Sequence, residues 1–311
     1  MQRQRGTKQK KSEPVFNPFS NRQNVNNGSK QAIIGVLLFL GMASIWFLSP
    51  ASTMITRVIL LTIPIQEDLS LGAASWKNMK HTYPNVKDQW GVSTIGNELA
   101  KKTINNDGFC TKTALDFSQC KRQLREYTWS FEVVSAPEVN AFALPGGIIR
   151  VTDSLLYKLQ PTRGEIAALL GHEMGHVLHR HSQAQLLKKN LLNIVIKALF
   201  YEDGDDHQES FGEAVGELML TGAKFLGEMR FSRQDEYEAD DAAFDILADS
   251  SVYDPRSVKS LLEKLWSLSG DSGQTSWDKT HPATGERIKA LSTRWNDMSW
   301  YEKRKFNGLQ R

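Results

Sequence analysis

The segment His172-Glu173-Met174-Gly175-His176 decides how this chain is read, together with Glu236-Tyr237-Glu238-Ala239-Asp240 further along. On a helix, positions 172 and 176 lie one turn apart, so both imidazoles leave the same face. Two such nitrogens can take two corners of a tetrahedral zinc site, and Glu173, one position round, can polarise a zinc-bound water. A third ligand must come from elsewhere, and a distant carboxylate is one standard solution. The preceding run, Arg163 to Gly171, is apolar and helix-compatible, and it starts just after Pro161-Thr162, a helix-start signal. The pattern reads as a zinc hydrolase, foremost a peptidase. The competing reading is a surface helix with two solvated histidines.

Glu236 and Asp240 are also four residues apart and share a helical face. One can ligate zinc while the other accepts a hydrogen bond from a ligand histidine and so fixes its tautomer. Arg233, a turn before Glu236, is placed to hold a carboxylate by charge pairing. Asp235, Glu238, Asp241 and Asp245 read as a solvated acidic face. His281 precedes a proline in a turn, ahead of the helical start Gly285-Glu286-Arg287. It can stabilise an oxyanion or fill the open zinc position, and a structural loop histidine is the plain alternative. His179 and His181 read as structural or surface residues, and His81 and His207 lack motif context.

Upstream, Trp76 to about Cys120 is mainly helical in pattern. Tyr127 to Ser135 alternates and is rich in aromatic and β-branched residues, which predicts a strand. A second strand is expected over Ile148 to Thr152, after Asn140-Ala141-Phe142-Ala143-Leu144-Pro145-Gly146-Gly147. Proline and paired glycines beside a strand suggest an edge or a bulge, and an open edge can take up an extended peptide. An ordinary hairpin turn is the other reading. Residues 186–200 form an amphipathic stretch, 202–209 an acidic loop, and 211–229 a glycine-containing apolar segment. Cys110 and Cys120 allow either a local disulfide or two free thiols.

Charge is segregated. Seven basic residues against the single acid Glu13 give residues 1–30 a net +6; with +3 overall, the rest of the chain carries −3. A nucleic-acid-binding body is therefore not expected. The tail, polar and poor in apolar residues, is expected to be disordered. Ala32 to Leu48 holds 17 residues without a charge, the lower limit for a membrane-crossing helix, with Trp46 near its outer end. The basic flank places the N-terminus in the cytoplasm and the body on the opposite side. A signal peptide cleaved near Ser49-Pro50-Ala51 is the rival reading. Thr53 to Ile65, interrupted by Arg57, is read as interfacial or packed on the domain. The expected layout is a basic tail over 1–30, an anchor over 31–49, a juxtamembrane segment over 50–75 and a catalytic domain over 76–311.

Four blocks in order, Asn140 to Gly147, His172 to His176, Ser232 to Asp240 and His281 to Ile288, together resemble the HtpX, Oma and CAAX-prenyl-protease superfamily of zinc metallopeptidases. Within it, the chain is similar to the single-span or soluble branch that includes BepA and LoiP. The resemblance runs from about Tyr127 to Leu291. It implies a gluzincin-like α+β fold, mostly helical with a small sheet, preceded here by the N-terminal transmembrane helix. It implies one Zn2+ per chain on His172, His176 and Glu236, with Glu173 as general base and Asp240 as the partner of a ligand histidine. His281 would match the family histidine near the metal and Arg287 a structural or substrate-facing arginine. Asn140, Ala141, Phe142, Pro145, Gly146 and Gly147 would border the substrate strand. The implied activity is endoproteolysis of unfolded or misassembled membrane or envelope proteins from a membrane-anchored domain. A mitochondrial inner-membrane location is the alternative. HtpX and the prenyl proteases carry several spans, whereas one is convincing here, and no repeat extension of the BepA type is evident. The competing class is a membrane-tethered chaperone or adaptor whose zinc is closed by His281.

Overall fold

The computed structural model describes residue 60, residues 63–188 apart from 107 and 113–115, and residues 230–309 apart from 273, 274 and 283. The basic tail, the anchor, most of Thr53–Ile65, the acidic loop and the glycine-containing segment lie outside the described residues, as does most of the amphipathic stretch. Among the described residues no helix is long and apolar enough to cross a membrane.

The architecture is mostly helical α+β. Helices α1 (Ile65–Met79), α2 (Val92–Asn105), α3 (Gly108–Lys112) and α4 (Phe117–Glu126) precede strands β1 (Ser130–Val134), β2 (Ala141–Leu144) and β3 (Ile148–Thr152). Then follow α5 (Asp153–Leu159), α6 (Arg163–Leu178), α7 (Arg233–Ser250), α8 (Arg256–Ser272), α9 (Ser276–Thr280), α10 (Gly285–Asp297) and α11 (Trp300–Arg304). Residues expected to be juxtamembrane thus contribute the first turns of α1. Its Leu71 packs with Phe142, Leu144 and Leu186, and Gly72 lies so close to the β2–β3 turn that a Cβ there would meet the Pro145 carbonyl oxygen at 1.9 Å.

The described strands form one sheet in the order β1-β3-β2. β1 runs parallel to β3, and β2 runs antiparallel to it as an edge. Pro145-Gly146-Gly147 makes the hairpin, with both glycines at positive φ, 77° and 98°, where a side chain would strain the backbone. The hairpin and the edge strand, posed as alternatives by the sequence, are both present. Cys110 and Cys120 form a disulfide at a sequence separation of 10, tying α3 to α4. Closing so short a loop stabilises by about 3 kcal/mol on the chain-entropy account.

Helix α6 is the centre. Thr162 and Glu165 close a capping box at its start, and every residue from Gly164 to Leu178 is buried. It packs against α7, α8, α2 and β2. The α6–α7 approach is close, because Gly171 and Gly175 face Ala239, Ala242 and Ala243. A Cβ on Gly175 would lie 2.9 Å from the Ala239 Cα and 2.9 Å from the Ala242 Cβ. The fourth residue of the HEMGH segment therefore sets how near α7 brings its carboxylates. Gly175→Val is expected to cost about 2–3 kcal/mol despite the gain in helix propensity. Thermal melts and zinc content check this, and both should fall together.

Glu165 is buried and serves beyond its cap. Its carboxylate accepts hydrogen bonds from Lys264 Nζ at 2.6 Å, Ser260 Oγ at 2.6 Å and the Thr162 amide at 2.7 Å. Burial alone would raise its pKa, but the bonds from Lys264, Ser260 and Thr162 outweigh that and lower it. A lowered folded-state pKa adds stability that is fully present above the unfolded value, about 4.3, and is lost as pH falls through the folded value. Glu165→Gln should cost about 1–2 kcal/mol at neutral pH, allowing for the partial exposure of Lys264. Urea unfolding at neutral and acidic pH should show that gap closing as pH falls below the carboxylate range.

Candidate active site

Four buried side chains from three parts of the chain converge. His172 and His176 project from α6, Glu236 from the first turn of α7, and His281 from the C-cap of α9. One donor atom of each lies within 4.8 Å of the others. His172 Nε2 is 3.1 Å from His176 Nε2 and 3.6 Å from Glu236 Oε2, and His176 Nε2 is 3.5 Å from Glu236 Oε1. His281 Nδ1 lies 3.4 Å from His172 Nε2 and 3.0 Å from Glu236 Oε1.

The donor set suits zinc. Bonds of about 2.0–2.1 Å in a tetrahedron space the ligand atoms about 3.3 Å apart, which is the spacing found here. Charge points the same way. Glu173, Glu236 and Asp240 are all buried, and the guanidinium of Arg287 pairs with Glu236 and Asp240. When all three are ionised, two negative charges stand in a dry pocket, a costly state that a divalent cation relieves. Both carboxylate oxygens of Glu173 are buried without a hydrogen-bond partner among the described residues, and His281 Nε2 lies 3.8 Å from one of them. Burial raises the Glu173 pKa. Burial also pushes His176 well down, keeping its imidazole neutral.

Behind these groups stands a buried clamp. Asp240 Oδ1 accepts from His172 Nδ1 at 3.0 Å and from Arg287 Nη2 at 2.7 Å, and Asp240 Oδ2 accepts from Arg287 Nε at 2.7 Å. Arg287 Nη1 reaches Glu236 Oε2 at 2.6 Å and donates to the Pro282 carbonyl at 2.9 Å. Burial would raise both carboxylate pKa values. Arg287, joined by His172 at Asp240 and by His281 and His176 at Glu236, more than offsets this, holding Asp240 below and Glu236 well below the ordinary range. Arg287 is fully buried between the two acids, a structural position. It makes the carboxylate pairing expected of Arg233, which is exposed.

The edge strand β2 packs on α6, so Ala141 and Phe142 lie beside the helix that carries the histidines. Asn140 precedes it, buried, with Oδ1 lacking a hydrogen-bond partner among the described residues. Pro145, Gly146 and Gly147 form the turn beyond.

Three site neighbours escaped the sequence reading. Phe231 stacks on the His176 ring at 4.0 Å, and Trp277 stacks on His281 at 4.3 Å. Single aromatics outside a motif give no signal. His181 is the third: it is buried, with Nδ1 2.8 Å from His176 Nδ1. Asp235 and Asp245 are buried too, not solvated as their acidic surroundings suggested. Asp235 closes the α7 capping box with Ser232, and Asp245 accepts from Arg294 at 2.7 Å.

The model of peptidase family M48 matches residues 111–295, more than half of the chain. Mitochondrial metalloendopeptidase OMA1 of Arabidopsis thaliana is 34% identical over 169 residues, covering 54% of this chain and 32% of that protein. Metalloprotease LoiP of Escherichia coli (strain K12) is 33% identical over 169 residues, 53% of this chain and 62% of its own length. A beta-barrel assembly-enhancing protease of Yersinia pestis is 25% identical over 248 residues, 76% of this chain and 46% of that protein. The chain spans about one third to three fifths of the length of these curated relatives. The matched region runs from α3 to α10 and holds both helices of the histidine and carboxylate cluster, and the chain belongs to peptidase family M48.

Proposed function

We propose that this chain is a membrane-anchored, zinc-dependent endopeptidase acting on unfolded or misassembled membrane or envelope proteins. The observation that carries the reading is the convergence of His172, His176 and Glu236 beside a buried Glu173 whose oxygens accept no hydrogen bond among the described residues. His172, His176 and Glu236 would hold one Zn2+. When bound, zinc supplies Lewis acidity that acidifies water and polarises the scissile carbonyl. Glu173 takes the proton of the attacking water at a carboxylate oxygen and delivers it to the leaving amine. Burial suits it to this work, because a carboxylate with a raised pKa gives and takes protons nearer neutrality. Asp240 holds the His172 proton on Nδ1, leaving Nε2 bare, and Arg287 keeps Asp240 and Glu236 ionised. An extended substrate segment would pair along β2, which supports a preference for unfolded chains.

The tail over 1–30, the single span over 31–49 and the segment over 50–75 would anchor the domain, with the N-terminus in the cytoplasm and the catalytic body across the membrane. The Cys110–Cys120 disulfide supports that side, since disulfides persist in oxidising compartments. A mitochondrial inner-membrane location fits the same topology, and one relative's name places it in that organelle.

One observation favours a second reading. His281 Nδ1 stands at the fourth corner of the cluster, 3.0 Å from Glu236 Oε1. A site closed by His281 would suit a tethered chaperone or adaptor. Cleavage of unfolded casein by the full-length chain and by His281→Ala, with zinc counted on each, separates the two. Slower cleavage by the variant makes His281 a catalytic group, and faster cleavage makes it a gate on an active enzyme. No cleavage by either, with one zinc bound, favours the adaptor.

A further inference from the structure

The two histidines of the HEMGH segment are held from behind by different chemistry. His172 Nδ1 faces the carboxylate of Asp240, whereas His176 Nδ1 faces another imidazole, His181 Nδ1, at 2.8 Å. Both rings are buried. His181 reaches this place because α6 ends at Leu178 and Arg180 takes a left-handed φ of 54°, which swings the chain back toward the site. Arg180 is pinned there: its Nε donates to Asp68 Oδ2 at 2.7 Å and its Nη2 to the Ile63 carbonyl at 3.0 Å. On its far side, His181 Nε2 lies 3.2 Å from Glu238 Oε2 and 3.8 Å from Asp235 Oδ1.

We propose that His181 is a positioning residue that accepts the His176 Nδ1 proton and is itself held in the accepting tautomer by Glu238. This rests on the reading that His176 ligates zinc through Nε2. One proton lies between the two facing Nδ1 atoms. A neutral imidazole that gives its Nε2 lone pair to a metal must carry its proton on Nδ1, so His176 donates and His181 accepts. Neutral His181 then carries its own proton on Nε2, pointing at an acidic pair, Glu238 first and Asp235 behind it. The two contacts behind the metal ligand, His176 to His181 and His181 to Glu238, are thus each satisfied by one proton, with no clash.

The same counting decides what the neighbouring group is for. His179, His181 and Glu238 form a second cluster with metal-ligand chemistry, His179 Nδ1 lying 3.5 Å from Glu238 Oε2. A metal on His181 Nε2 would drive its proton to Nδ1, against the proton of His176. Loading one site would oppose loading the other, so the cluster orients a ligand and does not hold a second ion.

The test uses the full-length chain. His181→Phe keeps the ring and removes the acceptor, whereas His181→Asn keeps an oxygen near the Nδ1 position. Release of zinc to a chromophoric chelator is timed for each, with thermal melts recorded alongside. A folded His181→Phe should lose zinc about 10–100-fold faster than wild type, and His181→Asn should recover most of the difference. Unchanged release from His181→Phe overturns the proposal, as does equal impairment of both variants. If His181→Phe does not fold, 15N-histidine NMR of the zinc-loaded wild type decides: a bare Nδ1 and a protonated Nε2 on His181 are expected. A protonated Nδ1, or two zinc ions per chain, overturns it. Failure of the underlying reading looks different, because wild type would then bind no zinc at all.

Discussion

Glu173→Gln should fold like the parent, bind one zinc, and lose about 10²- to 10⁴-fold in kcat on an unfolded protein substrate. The substitution keeps the shape of the side chain and removes its basicity. Among the described residues Glu173 makes no hydrogen bond that holds the fold together. Exchanging a buried carboxylate, whose nearest cationic group is His281 at 3.8 Å, for a neutral amide should leave stability equal or higher. Loss of turnover together with an equal or higher melting temperature is the signature of a chemical role. Retained turnover with zinc bound would remove Glu173 from the mechanism.

Arg287→Met should carry the largest cost in stability. The guanidinium neutralises Glu236 and Asp240 at once, and all three are buried. Removing one partner of such a pair leaves uncompensated buried charge, costing about 3–5 kcal/mol. In a domain of this size that lowers Tm by roughly 10 °C. Zinc content should fall as well, because Asp240 loses the group that aims it at His172 and Glu236 loses its second anchor. Excess zinc should restore part of the lost stability, since a divalent cation can replace the missing positive charge. Calorimetry with and without added zinc measures both effects. A variant as stable as wild type would mean the two acids need no counter-charge from α10.

How much of this was legible depended on whether a residue's partner lay within a few positions. His172, Glu173 and His176 are one helical turn, and Glu236 and Asp240 are another, so spacing alone put each pair on one face. Pro161-Thr162 marked where the first of those helices begins, whereas the box that Ser232 and Asp235 close at the start of the second went unread. The resemblance joined the two helices, and Gly175 supplies the physical reason they can join. Arg287 was named as a site residue, but its place between two acids depends on a packing of α10 on α7 that no local pattern encodes. His181 was passed over because positions 176 and 181 do not share a helical face. Only the left-handed turn at Arg180 brings them together, and arginine is not a residue that advertises such a turn. Asp235 and Glu238 looked solvated because an acidic run on a helix usually is. Strand β2 gave no alternating signal because all four of its residues are buried. The parallel pairing of β1 with β3 joins segments that no short turn connects.

The central claim is that one zinc on His172, His176 and Glu236 enables peptide hydrolysis with Glu173 as the base. The most direct test is casein cleavage by the full-length chain, measured before zinc is stripped, after stripping, and during stepwise restoration, with bound zinc counted on the same samples. Cleavage should vanish on stripping and return in proportion to zinc, reaching its full value at one ion per chain, while Glu173→Gln takes up the same ion and stays inactive. Cleavage that survives complete removal of zinc would contradict the account.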